Sequence, residues 1–341
     1  MTHSTRPSIS LALCTYNGVA YLPAQWQSLL EQDLLPDEVV ISDDQSTDGT
    51  TELIAELAAK APFTVRILDN PVRLGSNRNF ERALSACTGD LIYICDQDDF
   101  WLPEKIATVT QYMIKNPDIQ VAFCDAWVTD EHLKNKQGRM WEVVRFGAVA
   151  QARWQSGESM EVLLDGNRMM GCASVIRKSF LSHVLPIPTD LPGDYIYDGW
   201  IALVAAASNQ IAYINKPLQL YRTHVQQQIG VRAQEAPETV LVRKRVTRER
   251  TQKLAPLQLK QAQLTKINQL LTSRLPANAP GFSQLYRRLA HFTMRGNLPD
   301  NRLKRLVPVL GSVRLGNYRR YADASANWYA PYLAILGDIL E

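Results

Sequence analysis

The sequence predicts an α/β fold with a mostly parallel central sheet flanked by helices, followed by a helical C-terminal extension. Short apolar stretches alternate with stretches of helical spacing, and the connections between them are short, which favours a parallel sheet with helices on both faces. Near residue 233 the composition shifts to Gln, Arg, Lys and Leu at helical spacing. We therefore expect two domains, residues 1–232 and residues 233–341.

The first two strand and helix pairs begin with apolar runs that end in polar turns. Residues 8–14 (SISLALC) form a β-type run, and residues 21–31 follow with helical spacing. Residues 38–42 (EVVIS) predict the second strand, and residues 50–60 predict the second helix. Both strands end in clusters of Thr, Asn, Asp and Gly, which are residues that turns favour.

The next part of the chain repeats this order. Residues 64–68 predict a third strand, residues 77–86 a helix, and residues 91–95 (LIYIC) a fourth strand. Pro103 is expected to open the following helix, because proline is favoured in the first helical turn. Residues 120–124 predict a further strand, so the alternation continues.

The rest of the first domain is less regular. Residues 126–165 show no clear period and are expected to be irregular, and residues 168–177 are expected to form a buried segment that contains glycine. An apolar helix is predicted over residues 201–207, and residues 211–214 predict another strand.

Charge is distributed unevenly along the 341 residues. The net charge is +3, but residues 235–341 contain 18 Lys and Arg against 7 Asp and Glu, so they carry +11 and the first 234 residues carry −8. With 46% hydrophobic residues the chain can bury a core, which excludes general disorder and collagen-like repeats.

The sequence shows no apolar run of signal-peptide or membrane-spanning length, so we expect a cytoplasmic protein. Its five cysteines are widely spaced and form no C-x-x-C pair. They are expected to be buried thiols in a reducing compartment.

Polar clusters follow three of the predicted strands, at residues 15–17, 43–44 and 96–99. Because loops converge at the carboxyl ends of parallel strands, one pocket could collect all three. Asp96, Asp98 and Asp99 lie within four residues, and such a grouping is electrostatically costly without a cation.

Carboxylate oxygens suit Mg²⁺ or Mn²⁺, and a cation held by these acids would bind the diphosphate of a nucleotide-linked substrate. Asp96 and Asp98 share one side of an extended segment and can address the same ligand. A solvated turn or a helix cap is the structural alternative for these acids. Their position directly after a buried strand favours the cation.

Three motifs in this order resemble the family 2 glycosyltransferases of the GT-A fold, which is Rossmann-like. The motifs are LCTYNG at residues 13–18, VISDDQSTDGT at 40–50 and TGDLIYICDQDDFWLPEK at 88–105. The resemblance covers residues 8–230 and points to the bacterial branch of rhamnosyl and related sugar transferases of cell-surface polysaccharide synthesis. It implies an inverting, metal-dependent enzyme that moves a sugar from a nucleotide-diphosphate donor, such as dTDP-rhamnose or a UDP-hexose, to a saccharide or lipid-linked acceptor.

The resemblance also implies roles for single residues. Asp96 matches an acid near the ribose or the donor sugar, Asp98 the metal-binding acid, and Asp99 a residue that contacts the sugar or caps the next helix. Asp198 matches the catalytic base, although it could instead cap the helix that follows it, and Asp194 is a rival base. The residues expected to line the nucleotide are Thr15, Tyr16, Asn17, Asn79 and Asp44, the last accepting a hydrogen bond from the base.

Residues 221–227 resemble a closing motif Y-R-x-H-x-x-N, in which His224 or Arg222 would approach the metal and the diphosphate. Taken alone, His224 also fits a surface histidine, and Gln227 stands where the motif has Asn. Trp101 and Trp200 stand beside proposed acids, where an indole ring could stack on a sugar or pack in the core.

The implied mechanism is one in-line displacement, in which Asp198 removes the proton of the acceptor hydroxyl while the metal at Asp98 stabilises the departing diphosphate. The alternative is a nucleotide-sugar-binding protein of the same fold without catalysis. A nicotinamide-dependent enzyme is disfavoured, because the first strand is not followed by G-x-G-x-x-G.

The basic tail allows two explanations. Its helices, which start with the basic run 243–250, could pack on the catalytic domain or on a second subunit and so form an oligomer. Alternatively, arginines and aromatic residues in stretches 285–292 and 318–321 could lie on anionic lipid at the inner face of the plasma membrane. Nucleic acid is not an expected partner, because the acidic body would repel a phosphate backbone.

Overall fold

The computed structural model describes residues 6–193, 195–225, 227, 250–322 and 327–340. The chain forms two compact units, Met1–Val231 and Arg232–Glu341. The first unit contains a central sheet with helices packed against it. The described part of the second unit is helical.

The sheet of the first unit has nine strands within the described residues. They are β1 (Ile9–Thr15), β2 (Glu38–Asp43), β3 (Thr64–Leu68), β4 (Leu91–Asp96), β5 (Phe100–Trp101), β6 (Val121–Thr129), β7 (Lys136–Arg139), β8 (Ser174–Arg177) and β9 (Ile211–Arg222). Their order is β3-β2-β1-β4-β8-β6-β9-β5, and β7 pairs with β6.

The predicted α/β class is confirmed, and the sheet is mixed. Strands β3, β2, β1 and β4 run parallel, while β8 is antiparallel to both of its neighbours, β4 and β6. Strand β9 is parallel to β6. Every residue of β1 and β2 is buried, because both faces of a central strand in such a sheet are covered.

Nine helices of the first unit connect and cover these strands within the described residues. They are α1 (Leu22–Leu30), α2 (Thr50–Ala59), α3 (Ser76–Ala86), α4 (Lys105–Lys115), α5 (Met140–Val143), α6 (Ala148–Gln155), α7 (Ser159–Leu164), α8 (Leu181–Val184) and α9 (Tyr197–Ala207). Short 3₁₀ turns occupy Gly171–Ala173 and Lys178–Phe180.

The expectation of irregular structure over residues 126–165 is wrong. Strand β6 continues to Thr129, β7 pairs with it, and α5, α6 and α7 follow. These helices have only 4 to 8 residues, too few for a helical period to show in the sequence. An aromatic cluster anchors them instead, formed by Phe123, Trp141, Phe146, Trp154 and Tyr213.

Three other boundaries also differ from expectation. Helix α4 begins at Lys105, so Pro103 lies in the turn before it. Helix α9 already begins at Tyr197, and β9 extends to Arg222 because it pairs along the whole length of β6. The polar residues in the middle of β9 hide this length in the sequence.

The second unit contains α10 (Arg250–Thr272), α11 (Phe282–Gly296), α12 (Arg302–Arg314), α13 (Asn317–Arg320) and α14 (Ala330–Leu340). Leu298, Val309 and Tyr318 form a small core in this unit. Asp338 is fully buried beside it, where its carboxylate accepts hydrogen bonds from Arg295 Nε at 2.7 Å and from the Tyr318 hydroxyl at 2.7 Å.

The prediction of buried thiols is confirmed, since all five cysteines are buried and none forms a disulfide. Among the helices of the described residues, none combines the length and the apolar character that crossing a bilayer requires.

Candidate functional site

A cavity of about 550 Å³ lies at the carboxyl ends of β1, β2 and β4. Strand register brings the three polar loops together, because Thr15 pairs with Asp43 and Cys14 with Asp96. The expectation of one shared pocket is therefore confirmed. Predicted site residues that line it are Thr15, Tyr16, Asn17, Asp44, Asn79, Asp96, Asp98, Asp198 and His224.

The loop after β1 is held by hydrogen bonds to the loop after β2. The Thr15 hydroxyl donates to Asp43 Oδ1 at 2.7 Å. Asn17 has a φ of 48°, a left-handed conformation that Asn tolerates better than most residues. Its amide nitrogen donates to Ser46 Oγ, and its side-chain oxygen accepts from the amide of Thr47 at 2.9 Å.

Gln97 joins the loop after β4 to the loop after β1. Its side-chain amide donates to the Tyr16 carbonyl at 2.9 Å and accepts from the Tyr16 amide at 2.9 Å. Gly18 makes room for this pair, because a Cβ at this position would lie 2.1 Å from Gln97 Oε1. The two loops therefore form one connected wall of the cavity.

Asp44 and Asn79 shape the side of the cavity near α3. Both carboxylate oxygens of Asp44 accept backbone N–H groups, from Leu74 at 2.5 Å and from Gly75 at 2.9 Å. Asn79 donates to the Ser42 carbonyl at 2.9 Å. The guanidinium of Arg73 lies 3.9 Å from the centre of the Tyr16 ring. This face of the cavity thus combines an aromatic ring with a buried acid, and Arg73 contacts that ring.

The proposed metal residues Asp98 and His224 are brought together. His224 Nε2 lies 2.9 Å from Asp98 Oδ2, and both residues line the cavity. The His224 ring is buried, and its Nδ1 has no hydrogen-bond partner among the described residues. A carboxylate oxygen next to an imidazole nitrogen is a donor set that accepts Mn²⁺, and carboxylates suit Mg²⁺. The residues present therefore fit a divalent cation.

Asp96 stands beside this pair. Burial and the neighbouring charge of Asp98 raise the pKa of Asp96 well above its usual value. Oxygen atoms of Asp96 and Asp99 and the sulfur of Cys172 also lie within 4.8 Å of one another. Burial raises the pKa of the Cys172 thiol, so this sulfur stays protonated and is a poor ligand for a hard cation.

Asp99 departs from its expected role. It is buried, does not line the cavity, and accepts a hydrogen bond from Gln219 Nε2 at 3.1 Å. Burial followed by the charge of Asp98 raises the pKa of Asp99 to about 7. Helix α4 starts beyond Asp99 with Glu104 as its N-cap residue, so Asp99 does not cap it either. The side chain turns inward because β5 begins at the next residue and pairs with β9.

A buried lysine, Lys105, lies close to Asp99. Lys105 Nζ donates to the Cys172 carbonyl at 2.7 Å and to Gln219 Oε1 at 2.5 Å. It also lies 3.5 Å from the centre of the Trp101 ring. Sequence reasoning missed this residue, because a lysine at the start of a helix ordinarily faces water.

Arg222 holds the backbone of the loop that carries Asp98. Its Nε donates to the Asp98 carbonyl at 2.7 Å, and its guanidinium also donates to the Glu131 carbonyl at 2.5 Å. Arg222 does not line the cavity, so the structure does not support the expected diphosphate contact. Tyr21 was not predicted, yet it lines the cavity with its ring centre 4.1 Å from that of His224.

Asp198 is held at the cavity by three hydrogen bonds. Its carboxylate accepts from Asn167 Nδ2 at 3.0 Å, from the Gly171 amide at 3.1 Å and from the Gly199 amide at 2.6 Å. Burial raises the pKa of Asp198 to about 6, although these donors oppose the shift. A carboxyl with such a pKa is ionised at neutral pH and can accept a proton. Asn167 was missed because it is distant from every motif.

The two tryptophans lie in the core rather than at the site. Trp101 and Trp200 are both almost completely buried, and neither lines the cavity. The indole nitrogen of Trp200 donates to the Val184 carbonyl at 2.8 Å. The core alternative is therefore correct, and neither ring is open to a sugar. The rival base Asp194 and residues 243–249 of the basic run lie outside the described residues.

Comparison with known proteins identifies relatives of this chain. A family model described as glycosyl transferase family 2 matches residues 10–185. A dTDP-rhamnosyl transferase of Shigella flexneri, RfbG, is 27% identical over 227 residues, which are 64% of this chain and 73% of the relative. An uncharacterized protein of Mycobacterium bovis is 26% identical over 219 residues, which are 63% of this chain. The matched part spans 59% of that mycobacterial relative.

Solved structures share the fold. A mannosyltransferase from Pyrobaculum calidifontis, solved in complex with GDP-Man and Mn²⁺, superposes with a TM-score of 0.50 at 15% identity. The comparison covers 98% of this chain and 86% of the mannosyltransferase. At this identity the similarity concerns the fold alone.

Proposed function

The chain belongs to glycosyl transferase family 2, and on this basis we propose that it catalyses inverting, metal-dependent transfer of a sugar. The donor is a nucleotide-diphosphate sugar and the acceptor is a saccharide or a lipid-linked saccharide. The similarity to the Shigella dTDP-rhamnosyl transferase makes dTDP-rhamnose the first donor to test, beside UDP-hexoses. A place in cell-surface polysaccharide synthesis is what the motif resemblance implies.

The observation that carries the proposal is the position of Asp198. Its buried carboxylate lines the same cavity as Asp98 and His224 and as the loop at residues 15–17. The cavity thus brings a proton acceptor together with side chains that suit a cation and a nucleotide. These are the roles that a displacement at a sugar carbon requires.

In the proposed reaction the acceptor oxygen forms a bond to the anomeric carbon while the bond from that carbon to the diphosphate oxygen breaks. Asp198 takes the proton of the acceptor hydroxyl, and the nucleoside diphosphate leaves as an anion. Asn167 Nδ2 and the Gly171 amide hold the Asp198 carboxylate in place during this transfer. Inversion follows because the base and the leaving group act on opposite sides of the sugar ring.

Asp98 and His224 would hold Mg²⁺ or Mn²⁺, with Asp96 beside them. The cation would supply charge neutralisation for the departing diphosphate. The side chains that would surround the nucleotide are Thr15, Tyr16, Asn17, Asp44 and Asn79.

The test begins with a thermal-shift panel of nucleotide sugars in the presence of Mn²⁺, because a bound donor raises stability. The donor that binds is then used to compare the Asp198→Asn variant with the original protein. We expect nearly unchanged donor binding and loss of transfer. Asp118→Asn is the matched control, since Asp118 is an exposed acid of the first unit.

Two outcomes would contradict the proposal. Equal loss of binding and transfer in Asp198→Asn would remove Asp198 as the base. Donor binding without any donor consumption by the original protein, with Mg²⁺ or with Mn²⁺, would favour the alternative of a nucleotide-sugar-binding protein without catalysis.

A further inference from the structure

Helix α12 of the second unit presents an apolar stripe to solvent. Leu303 is 76% exposed, Val307 79% and Leu310 57%. Their spacing of four and three residues places them on one face of the helix. Another face of α12 is already used for packing, since Val309 is completely buried in the core of the unit. The exposed stripe is thus additional to the face that stabilises the fold.

Helix α14, which packs against α12, repeats this arrangement. Tyr332, Leu336 and Leu340 follow one another at intervals of four residues, and all three are exposed. Trp328, in the turn just before α14, is 82% exposed. On the other side of α14, Ile335 and Ile339 pack into the core of the unit. Two neighbouring helices therefore each carry an unburied apolar stripe.

The unit that carries these stripes is strongly basic. Residues 250–322 and 327–340 contain 14 Lys and Arg against 2 Asp and Glu. One of the two acids, Asp338, is buried and paired with Arg295. Lys304 is exposed on α12, and the exposed Arg314 lies on the stripe itself, four residues after Leu310. Long basic side chains in this position can reach lipid phosphates while leucines enter the acyl region.

We propose that the stripes of α12 and α14 bind the surface of an anionic lipid bilayer. The exposed apolar side chains indicate a partner that buries them, and the net positive charge indicates that this partner is anionic. A second copy of the chain satisfies only the first condition, because it would bring two strongly basic surfaces together. A nucleic acid satisfies only the second. An anionic bilayer satisfies both, and the inference does not depend on glycosyl transfer.

The test is flotation of the full chain with vesicles of phosphatidylcholine alone and with vesicles that also contain phosphatidylglycerol. We expect binding to the anionic vesicles only, weakened by salt. The triple variant Leu303→Ser, Val307→Ser and Leu310→Ser should bind at least about tenfold more weakly, since each side chain loses its burial in lipid. The double variant Lys304→Gln and Arg314→Gln should lose about fivefold for each charge.

Val149→Ser serves as the matched control, because Val149 is 79% exposed in the first unit and should not affect vesicle binding. All the substituted side chains are exposed, so thermal midpoints should stay close to that of the original protein. Equal binding to neutral vesicles, or undiminished binding by the triple variant, would overturn the proposal. Light scattering could instead show that the original protein is a dimer and the triple variant a monomer, with no vesicle binding by either protein. That result would mean that the surface binds a second copy of the chain. Retention on RNA without retention on vesicles would also overturn it.

Discussion

Replacing Asn167 by alanine removes one of the hydrogen bonds that hold the Asp198 carboxylate, and its effect should depend on pH. Asn167 Nδ2 donates to Asp198 Oδ1 at 3.0 Å. This bond stabilises the ionised carboxylate and so lowers its pKa, against the larger effect of burial, which raises the pKa to about 6. Without the donor, the pKa of Asp198 rises further.

The size of the change follows from the strength of such a bond. A hydrogen bond to a charged group contributes about 1.5 kcal/mol at the lower end of its range, which corresponds to about one pKa unit. The pKa of Asp198 should therefore move from about 6 to about 7. The ionised fraction would then fall about fivefold at pH 6 and about twofold at pH 7, with almost no change above about pH 8.5.

The assay is the pH dependence of kcat/KM, which reports ionisations of the free enzyme. Because a base must be deprotonated to act, kcat/KM decreases as the pH falls through the pKa of the base. A raised pKa moves this acidic limb of the pH profile to higher pH. Asn167→Asp should move it further, since it adds a negative charge near Asp198 while keeping an acceptor for the Met169 amide.

Asn116→Ala is the control, because Asn116 makes a comparable side-chain hydrogen bond, to the Tyr112 carbonyl at 2.8 Å, and lies away from the cavity. It should leave the profile unchanged. A uniform loss of activity at every pH in Asn167→Ala would mean that Asn167 has only a structural role, and the reasoning about the base would fail.

Three further changes test other parts of the structure. Gly18→Ala places a Cβ 2.1 Å from Gln97 Oε1, so the hydrogen bonds between Gln97 and Tyr16 are lost. Calorimetry should then show donor binding about tenfold weaker. The control Gly147→Ala, which has open space around its Cβ, should bind the donor normally. Asp98→Asn should raise the Mn²⁺ concentration for half-maximal activity at least about tenfold in a metal titration; an unchanged titration would exclude Asp98 as a ligand. Asp338→Ala leaves Arg295 without its buried partner and should lower the free energy of unfolding in urea by about 3–5 kcal/mol. Asp300→Ala, at an exposed ion pair, should cost less than about 1 kcal/mol.

The sequence predicted the first half of the fold well, because β1 to β4 are short, apolar and separated by polar turns. The same regularity located the acids at residues 43–44 and 96–99, since the parallel register places strand ends side by side. Asp198 lies about a hundred residues further along the chain, and only the family resemblance connected it with the other acids.

The remaining contributors to the site could not be predicted from local pattern. Asn167 and Lys105 act through partners that are remote in sequence, and neither stands at the carboxyl end of a parallel strand. Asp99 and Trp101 are close to Asp98 in the sequence and therefore look like site residues. The pairing of β5 with β9 instead buries their side chains in the core. Which neighbours of a motif face the ligand is decided by that tertiary pairing.

The Gln97 bridge also has a thermodynamic consequence. Gln97 stands between Asp96 and Asp98 in the loop after β4, and its hydrogen bonds hold the backbone of Tyr16 in the loop after β1. A ligand that orders one of these two loops therefore also reduces the motion of the other. Two ligands that each order this shared wall cooperate, and the factor by which one tightens the other must be the same in both directions. For the proposed cation and nucleotide, we therefore expect affinities measured singly to be weaker than the affinities in the ternary complex. Gly18→Ala should reduce the cooperativity by the same factor whichever ligand is added first.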